Sequence, residues 1–250
     1  MFTFAGGDQI VAASIANSQF LRCHNLVWDQ QLPDYITNGH WNRENLTEAM
    51  VFHITSVVSH FKGHCLMWDV VNEPLNDNGT LALNSPFSQI IGEDYIEIAF
   101  RAARAADPFA KLCLNDFNVE SPNAKSAAYQ ALIRRLRSEG VDIDCMGFES
   151  HFIVGETPST EMQVESMNGF VNEGVFTVIT ELDVRMELPQ TASALAQQAL
   201  DYASTVNACL AVAECIGITV WDWYDPVSID PVYSISISIF PPNFLTLTLR

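Results

Sequence analysis

Two short segments each place a glutamate at the end of an apolar run. Glu73 lies within Asn72-Glu73-Pro74, and Glu181 lies within Thr180-Glu181-Leu182-Asp183. Two carboxyl groups can break a glycosidic bond, because a protonated one donates to the leaving oxygen and an ionised one attacks the sugar. A separation of about 5–5.5 Å gives a covalent intermediate and retention, whereas a wider gap admits water and gives inversion. Either glutamate alone would equally suit a helix or loop cap, so the prediction depends on the surrounding elements.

Six short apolar runs rich in β-branched residues recur along the chain. They cover 20–28, 64–73, 111–117, 144–151, 175–183 and 217–223. Near-continuous apolar runs are typical of parallel strands that are covered on both faces. Between them, amphipathic or Ala-rich segments predict helices over 45–61, 93–106, 124–139 and 192–210. Strands that alternate with helices predict βαβ units and a parallel sheet.

The spacing of these runs, with no shared repeat motif, favours a barrel over a solenoid. Charged or aromatic residues stand at the C-terminal end of every run, and in an α/β barrel that end builds the active site. We therefore predict an α/β chain of the (β/α)8 TIM-barrel class, with residues 1–230 as a partial catalytic barrel. Residues 231–250 carry no helix signal and read as a divergent, strand-prone tail.

Composition limits the classes of partner. The chain has 30 acidic and 12 basic residues, so its formal net charge is -18. Nucleic acids and anionic membranes need clustered Lys and Arg, so neither is predicted as a partner. No apolar run approaches the roughly 20 residues that span a bilayer, and the first residues lack the pattern of a signal peptide. A neutral substrate fits this charge best.

The six cysteines show no spacing typical of zinc ligands, so no metal site is predicted. Four of them lie in apolar runs and are predicted to be buried thiols, namely Cys23, Cys65, Cys113 and Cys145. Cys209 and Cys215 flank a short turn and could bridge. Asn45-Leu46-Thr47 and Asn78-Gly79-Thr80 match the acceptor pattern for N-glycosylation, which favours secretion.

Taken in order, several motifs resemble those of glycoside hydrolase family 10 xylanases of fungal type. They are LRCHNLVW at 21–28, WDVVNE at 68–73, LNDFN at 114–118, SH at 150–151, ITELD at 179–183 and GITVW at 217–221. The match extends from about Phe2 to Trp223, and the two glutamate motifs are its most specific parts. The resemblance implies a secreted, monomeric endo-1,4-β-xylanase that acts on xylan without a cofactor.

The resemblance also implies a role for individual residues. Glu73 would be the acid/base and Glu181 the nucleophile. His151 would lie between Glu181 and Asp183 and orient the nucleophile. Asn72 would hold the 2-hydroxyl of the sugar. The remaining implied substrate-binding residues are His24, Trp28, Asn115, Glu149 and Trp221. Cys209 and Cys215 match a disulfide of fungal members.

Several features depart from the family pattern. Asp222 stands where the family has Gly after the last Trp, and the Trp-containing loop expected beyond it is not recognisable. Asp29 stands where the family has His, and Glu149 stands where it has Gln. Each adds a carboxylate near Glu181, and like charges oppose ionisation of a nucleophile, so we expect an acid limb shifted to higher pH or a lower rate. The chain also opens where the family's second helix begins, and its tail lacks the last helix. An incomplete barrel with exposed strand edges is therefore expected.

Two other functions remain open. A β-1,4-glucanase can share the barrel and the Asn-Glu-Pro motif, although the motifs around His24 and Thr180 favour a xylanase. A catalytically inactive protein, which binds xylan or has no activity, is favoured by the expected absence of sugar-gripping strands and by Asp29 and Glu149.

Overall fold

The structure is a computed structural model that describes residues 2–221 and 233–234. The chain divides into two compact units. The first comprises Met1–Pro74, Leu81–Leu114 and Arg135–Asp144, and the second comprises Leu75–Thr80, Asn115–Arg134 and Cys145–Arg250. Each unit combines parallel strands with helices, as the alternating apolar and amphipathic segments predicted. Strand β3 (Lys111–Asp116) and helix α5 (Ala124–Ser138) contribute residues to both.

In the first unit the strand order is β1-β2-β3, with β1 (Leu21–Cys23) parallel to β2 (Cys65–Asn72). Strand β2 is buried along its whole length except at Leu66, which explains its nearly uninterrupted apolar sequence. The helical segments of this unit are α1 (Ala5–Ala16), α2 (Asp34–Thr37), α3 (Arg43–His60), a π-helix (Phe87–Ile91) and α4 (Asp94–Ala106).

Helix α3 begins at Arg43, two residues before the predicted start, because Asn42 and Asn45 cap it. The Asn42 side chain accepts from the Asn45 backbone N–H at 3.0 Å, and the Asn45 side chain accepts from the Asn42 N–H at 2.9 Å. This reciprocal pair satisfies two N–H groups that a helix start leaves unpaired. A stripe of four residues at helical spacing is at most 2% exposed, consisting of Leu46, Met50, Ile54 and Val58.

In the second unit, β6 (Phe176–Glu187) is the central strand. It pairs in parallel with β4 (Cys145–Phe148), β5 (His151–Ile153) and β7 (Cys215–Val220), and antiparallel with β8 (Tyr233–Ser234). Helices α6 (Thr160–Asn172) and α7 (Ala192–Ala211) belong to this unit. Most of the proposed tail lies outside the described residues, as do Asp222 and Trp223.

Several elements differ from the sequence prediction, and two of the differences have a clear local cause. The run over 144–151 is divided into β4 and β5, because Ser150 adopts a positive φ of 61° and interrupts the strand. Helix α6 was not predicted, since Gly169 and several polar residues obscure its apolar face. Ser159 nevertheless caps it, accepting from the Met162 N–H at 3.3 Å.

The prediction of four buried thiols is wrong. Cys23 and Cys65 form a disulfide with Cα atoms 5.7 Å apart, and Cys113 and Cys145 are also disulfide-bonded. The reason is strand adjacency: the parallel register of β1 and β2 sets Leu21 opposite Cys65 and brings Cys23 close to it. The Cys209–Cys215 disulfide is present, as the resemblance implied. No cysteine in the described part of the chain is free.

Within residues 2–221 and 233–234, no helix is long and apolar enough to cross a bilayer.

Candidate active site

In the first unit, Asp69 holds the ring of His24. Asp69 lies on β2, its side chain is fully buried, and its Oδ2 accepts from His24 Nδ1 at 2.8 Å. Arg22, on β1, forms an ion pair with the same oxygen. The Asn25 side-chain nitrogen lies 3.1 Å from the other ring nitrogen of His24. Partners on both ring nitrogens fix the orientation of this partly buried imidazole.

Glu73 follows β2 directly, and two amides contact its carboxylate. Asn72 donates to Oε1 at 3.2 Å, and Gln30 donates to Oε2 at 3.3 Å. Glu73 has φ of 52°, a left-handed conformation that costs a non-glycine residue on the order of 1–3 kcal/mol. Such strain is typical of functional positions, where the surrounding structure maintains it. Gln30 was not singled out from the sequence, since it lies in a loop beside the third-strand motif and carries no pattern of its own.

Trp28 and Asp29 present polar atoms with unused hydrogen-bonding capacity. The Trp28 ring lies edge-on to His24, with centroids 6.3 Å apart. The Trp28 indole N–H and one carboxylate oxygen of Asp29 are buried and have no hydrogen-bond partner in the described part of the protein. Buried polar groups of this kind are normally satisfied, so these two atoms are suited to a sugar hydroxyl.

In the second unit, a single amide contacts two carboxylates. Asn115 stands near the end of β3, and its Nδ2 donates to Glu149 Oε1 and to Glu181 Oε1, each at 3.0 Å. Thr180 donates to Asn115 Oδ1 at 2.7 Å and so fixes which way the amide faces. All four side chains lie in residues that are at most 5% exposed. The arrangement holds Glu181 in one position.

Close approach of the backbone at Gly147 allows this arrangement. A Cβ atom at Gly147 would lie 2.2 Å from Asn115 Oδ1 and 2.9 Å from a methyl carbon of Thr180. Both distances are too short for any side chain, so only glycine fits on β4 beside the amide.

His151 contacts all three carboxylates of this cluster. Its Nδ1 lies 2.9 Å from Asp183 Oδ2, and its Nε2 lies 3.4 Å from Glu181 Oε2 and 3.7 Å from Glu149 Oε2. The parallel register of β5 and β6 sets His151 opposite Asp183. Burial alone would lower the pKa of His151, but the hydrogen bonds to Asp183 and Glu181 and the charges of Asp183 and Glu149 raise it to about 10. His151 is therefore an imidazolium at neutral pH.

The three atoms that Glu149, His151 and Glu181 offer lie within 4.8 Å of one another, a spacing that a metal ion could use. A ligating histidine must be neutral, so an ion here would have to displace the proton that the neighbouring carboxylates hold on His151. The cluster is better described as one imidazolium shared by three carboxylates.

Two further ionisable groups support this region and were not singled out from the sequence. Glu120 is buried and accepts from the Ser150 N–H at 2.8 Å, and burial raises its pKa. Lys125 is also buried, with Nζ 2.7 Å from Asp116 Oδ1 and 3.9 Å from the centre of the Phe117 ring. Glu120 lies in a loop and Lys125 lies in helix α5. Neither segment has a strand-end motif, so no sequence pattern pointed to these two residues.

The predicted site residues are thus divided between the units. His24, Trp28, Asn72 and Glu73 belong to the first unit, and the others belong to the second. Trp221 continues β7, and its N–H donates to the Leu182 carbonyl at 3.0 Å. The separation of the Glu73 and Glu181 carboxyl groups stays a prediction.

Comparison with known proteins gives a consistent result. The sequence model of glycosyl hydrolase family 10 matches residues 1–233. Endo-1,4-beta-xylanase D of Talaromyces funiculosus is 50% identical over 227 residues, which cover 91% of this chain and 56% of the relative. Endo-1,4-beta-xylanase A of Phanerodontia chrysosporium is 45% identical, with 91% and 55% covered. The chain spans a little over half the length of these curated relatives.

Solved structures show the same likeness. The GH10 xylanase of Bispora sp. MEY-1 with xylobiose has a TM-score of 0.88 at 40% identity, covering 92% of this chain and 72% of that one. The endo-1,4-beta-xylanase XylE of Penicillium canescens has a TM-score of 0.90 at 40% identity, with 92% and 71% covered. The likeness confirms the predicted fold class, an α/β barrel that this chain represents in part.

Proposed function

The chain belongs to glycosyl hydrolase family 10, and on that premise we propose that it hydrolyses internal β-1,4-xylosidic bonds of xylan with retention of configuration. The observation that supports this most is the geometry around Glu181. An amide and an imidazolium both contact its carboxylate, which favours the ionised form that a nucleophile needs. Both relatives described above are named as endo-1,4-beta-xylanases.

The reaction proceeds in two displacements. Glu73 donates its proton to the glycosidic oxygen while Glu181 attacks the anomeric carbon, so the glycosidic bond breaks and a covalent glycosyl-enzyme forms. Glu73 then takes a proton from water, which attacks the same carbon and releases Glu181. Each step inverts the configuration, and the two together retain it.

The neighbouring residues orient the sugar and the carboxylates. Asn72 contacts the 2-hydroxyl, where a hydrogen bond that strengthens in the transition state lowers the barrier. His24, Trp28 and Trp221 line the subsite of the cleaved sugar, with the Trp28 N–H as a donor. His151 and Asp183 hold Glu181 in place. Asn115 and Glu149 complete the cluster on its other side.

The conditions of action follow from composition and covalent structure. The net charge of -18 suits a neutral polysaccharide. Disulfide bonding of every cysteine in the described residues is typical of proteins that act outside the cell, so we place the protein there. The chain acts as a monomer, with residues 1–230 as its catalytic part and 231–250 as a tail.

The test is release of xylobiose and xylotriose from xylan by the purified chain. We expect release by the unchanged chain and its loss in Glu181→Ala and Glu73→Ala variants that keep the same circular dichroism spectrum. With an aryl xyloside that has a good leaving group, added azide should give β-xylosyl azide in Glu73→Ala, because azide attacks the glycosyl-enzyme without a general base. In Glu181→Ala azide can only attack the substrate directly, so any azide product should have the inverted, α configuration.

Carboxymethylcellulose serves as the parallel substrate. Faster hydrolysis of it than of xylan would favour the glucanase. No hydrolysis of either by well-folded protein would favour the inactive alternative, for which the third carboxylate, Glu149, is the specific structural argument.

A further inference from the structure

The two N-glycosylation triplets have opposite local structures. In the triplet Asn78-Gly79-Thr80, the Thr80 hydroxyl donates to Asn78 Oδ1 at 2.7 Å and the Thr80 N–H donates to the same oxygen at 3.1 Å. Gly79 lies between them with φ of 81°, a conformation that glycine adopts readily. The hydroxyl and the amide of the acceptor pattern are therefore already in contact, and the Asn78 side chain is exposed.

The turn that carries Asn78 is anchored on both sides of this residue. Asn76 donates through its N–H to the Thr80 carbonyl at 2.8 Å, which closes the loop. Asp77 lies 3.5 Å from Lys125 Nζ and accepts from the Asn118 side chain at 3.2 Å. These contacts turn the neighbours of Asn78 toward the protein. The Asn78 amide nitrogen forms no hydrogen bond within the described residues, so it is available to solvent.

In the triplet Asn45-Leu46-Thr47, the Asn and Thr side chains both hydrogen-bond to backbone groups at the start of helix α3. Asn45 Oδ1 accepts from the Asn42 N–H in the capping box of α3, at 2.9 Å. The Thr47 hydroxyl instead donates to the Arg43 carbonyl at 2.7 Å, and Leu46 between them is fully buried. The hydroxyl and the amide can meet only if the first turn of α3 opens and loses its cap.

We propose that Asn78 carries an N-linked oligosaccharide and that Asn45 does not. In the transfer, the Asn78 amide nitrogen attacks the anomeric carbon of a lipid-pyrophosphate-linked oligosaccharide. A carbon–nitrogen bond forms, the bond from that carbon to the pyrophosphate oxygen breaks, and the lipid pyrophosphate leaves. The amide loses one proton to a base of the transferase. The proposal rests on the secretory route in the proposed function and is independent of xylan hydrolysis.

The modified residue lies close in sequence to the proposed acid/base. The turn at 76–80 follows directly after Glu73 and Pro74 in the chain. An oligosaccharide at Asn78 is therefore attached shortly after the acid/base in sequence, and it adds a neutral, hydrated group to a strongly acidic protein.

The experiment is peptide mapping of the chain secreted by yeast behind a cleavable leader. An amidase that removes N-glycans in ¹⁸O-labelled water converts each modified asparagine into labelled aspartate. We expect the label at Asn78 alone. Asn78→Gln and Thr80→Ala should each lose the mass of one glycan, whereas Thr80→Ser should keep it, which separates loss of the acceptor from damage to the turn. Asn45→Gln and Thr47→Ala are the matched controls and should each keep the glycan at Asn78.

The same variants translated in vitro with endoplasmic reticulum microsomes make the result independent of export. Label at Asn45, alone or together with Asn78, would overturn the inference that local structure selects between the two triplets. An unlabelled chain that has entered the microsomes would overturn it as well. Neither outcome bears on xylan hydrolysis, which is measured separately.

Discussion

At the scale of single residues, Glu149 distinguishes this site most clearly. It shares the Asn115 amide with Glu181 and lies 3.7 Å from the imidazolium of His151. A glutamine here would accept the same hydrogen bond from Asn115 without a charge. The extra negative charge opposes ionisation of the nucleophile nearby, although His151 offsets part of it.

We expect Glu149→Gln to move the acid limb of the activity profile to lower pH and to raise the rate below neutrality. The charge of Glu149 is one cause of the raised pKa of His151, so that pKa should fall from about 10 in the variant. The measurements are kcat/KM against pH and an NMR titration of His151. The double variant Asp29→His, Glu149→Gln extends the test, and a profile unchanged in both variants would refute this account.

The pKa of His151 also predicts how stability depends on pH. A histidine whose pKa rises from 6.5 to about 10 on folding stabilises the native state fully below pH 6.5, and this contribution is lost as pH rises toward 10. We expect the urea midpoint to fall across that range in the wild type. A His151→Gln variant should show a smaller decrease. Equal decreases in the two proteins would mean that other groups cause the loss.

At the scale of elements, the site depends on a few close approaches between strands. We expect Gly147→Ala to destabilise the protein by about 1–3 kcal/mol, because its Cβ would displace the Asn115 amide. Activity should fall as well, since Asn115 orients Glu181. The measurement is kcat/KM together with the denaturant midpoint.

Gly6→Ala is the matched control, because no atom lies within 4 Å of the added carbon and the residue is in α1. We expect it to change stability by less than about 1 kcal/mol, in the stabilising direction. If the two substitutions had equal effects, the close approach at Gly147 would not be the cause.

The elements also show what the sequence could predict. Apolar runs identified β2, β6 and helix α3 because burial on one or both faces leaves a periodic pattern. The motif resemblance supplied the pairing of His151 with Asp183, which no spacing rule gives, since register depends on how β5 meets β6. The Cys23–Cys65 disulfide was missed for the same reason, as an apolar run suits a thiol and a disulfide equally. Glu120 was missed because its partner, Ser150, comes from a distant segment. Lys125 was missed because a lysine in a helix reads as a solvent-exposed charge.

At the scale of the whole molecule, two disulfides of very different loop length allow a direct comparison. Cys23–Cys65 closes a separation of 42 residues and Cys209–Cys215 one of 6. Loop-closure entropy predicts stabilisation of about 4 kcal/mol for the first and about 2 kcal/mol for the second.

We therefore expect the paired Cys23→Ala, Cys65→Ala variant to lose more stability than the paired Cys209→Ala, Cys215→Ala variant. Guanidinium denaturation of both under oxidising conditions measures the difference. A larger loss for the short loop would show that local packing, and not chain entropy, dominates the contribution of these bonds.

The register of β5 against β6 has a consequence for how this site can change over generations. Glu181 and Asp183 face the same side of β6 because side chains alternate along a strand, and Asp183 is the partner of His151. Insertion or deletion of one residue between Glu181 and Asp183 would turn one of the two carboxylates to the opposite face. Divergence here is therefore confined to exchange of side chains at fixed positions. Glutamate at position 149 is a variation of the kind that such a lineage can accumulate.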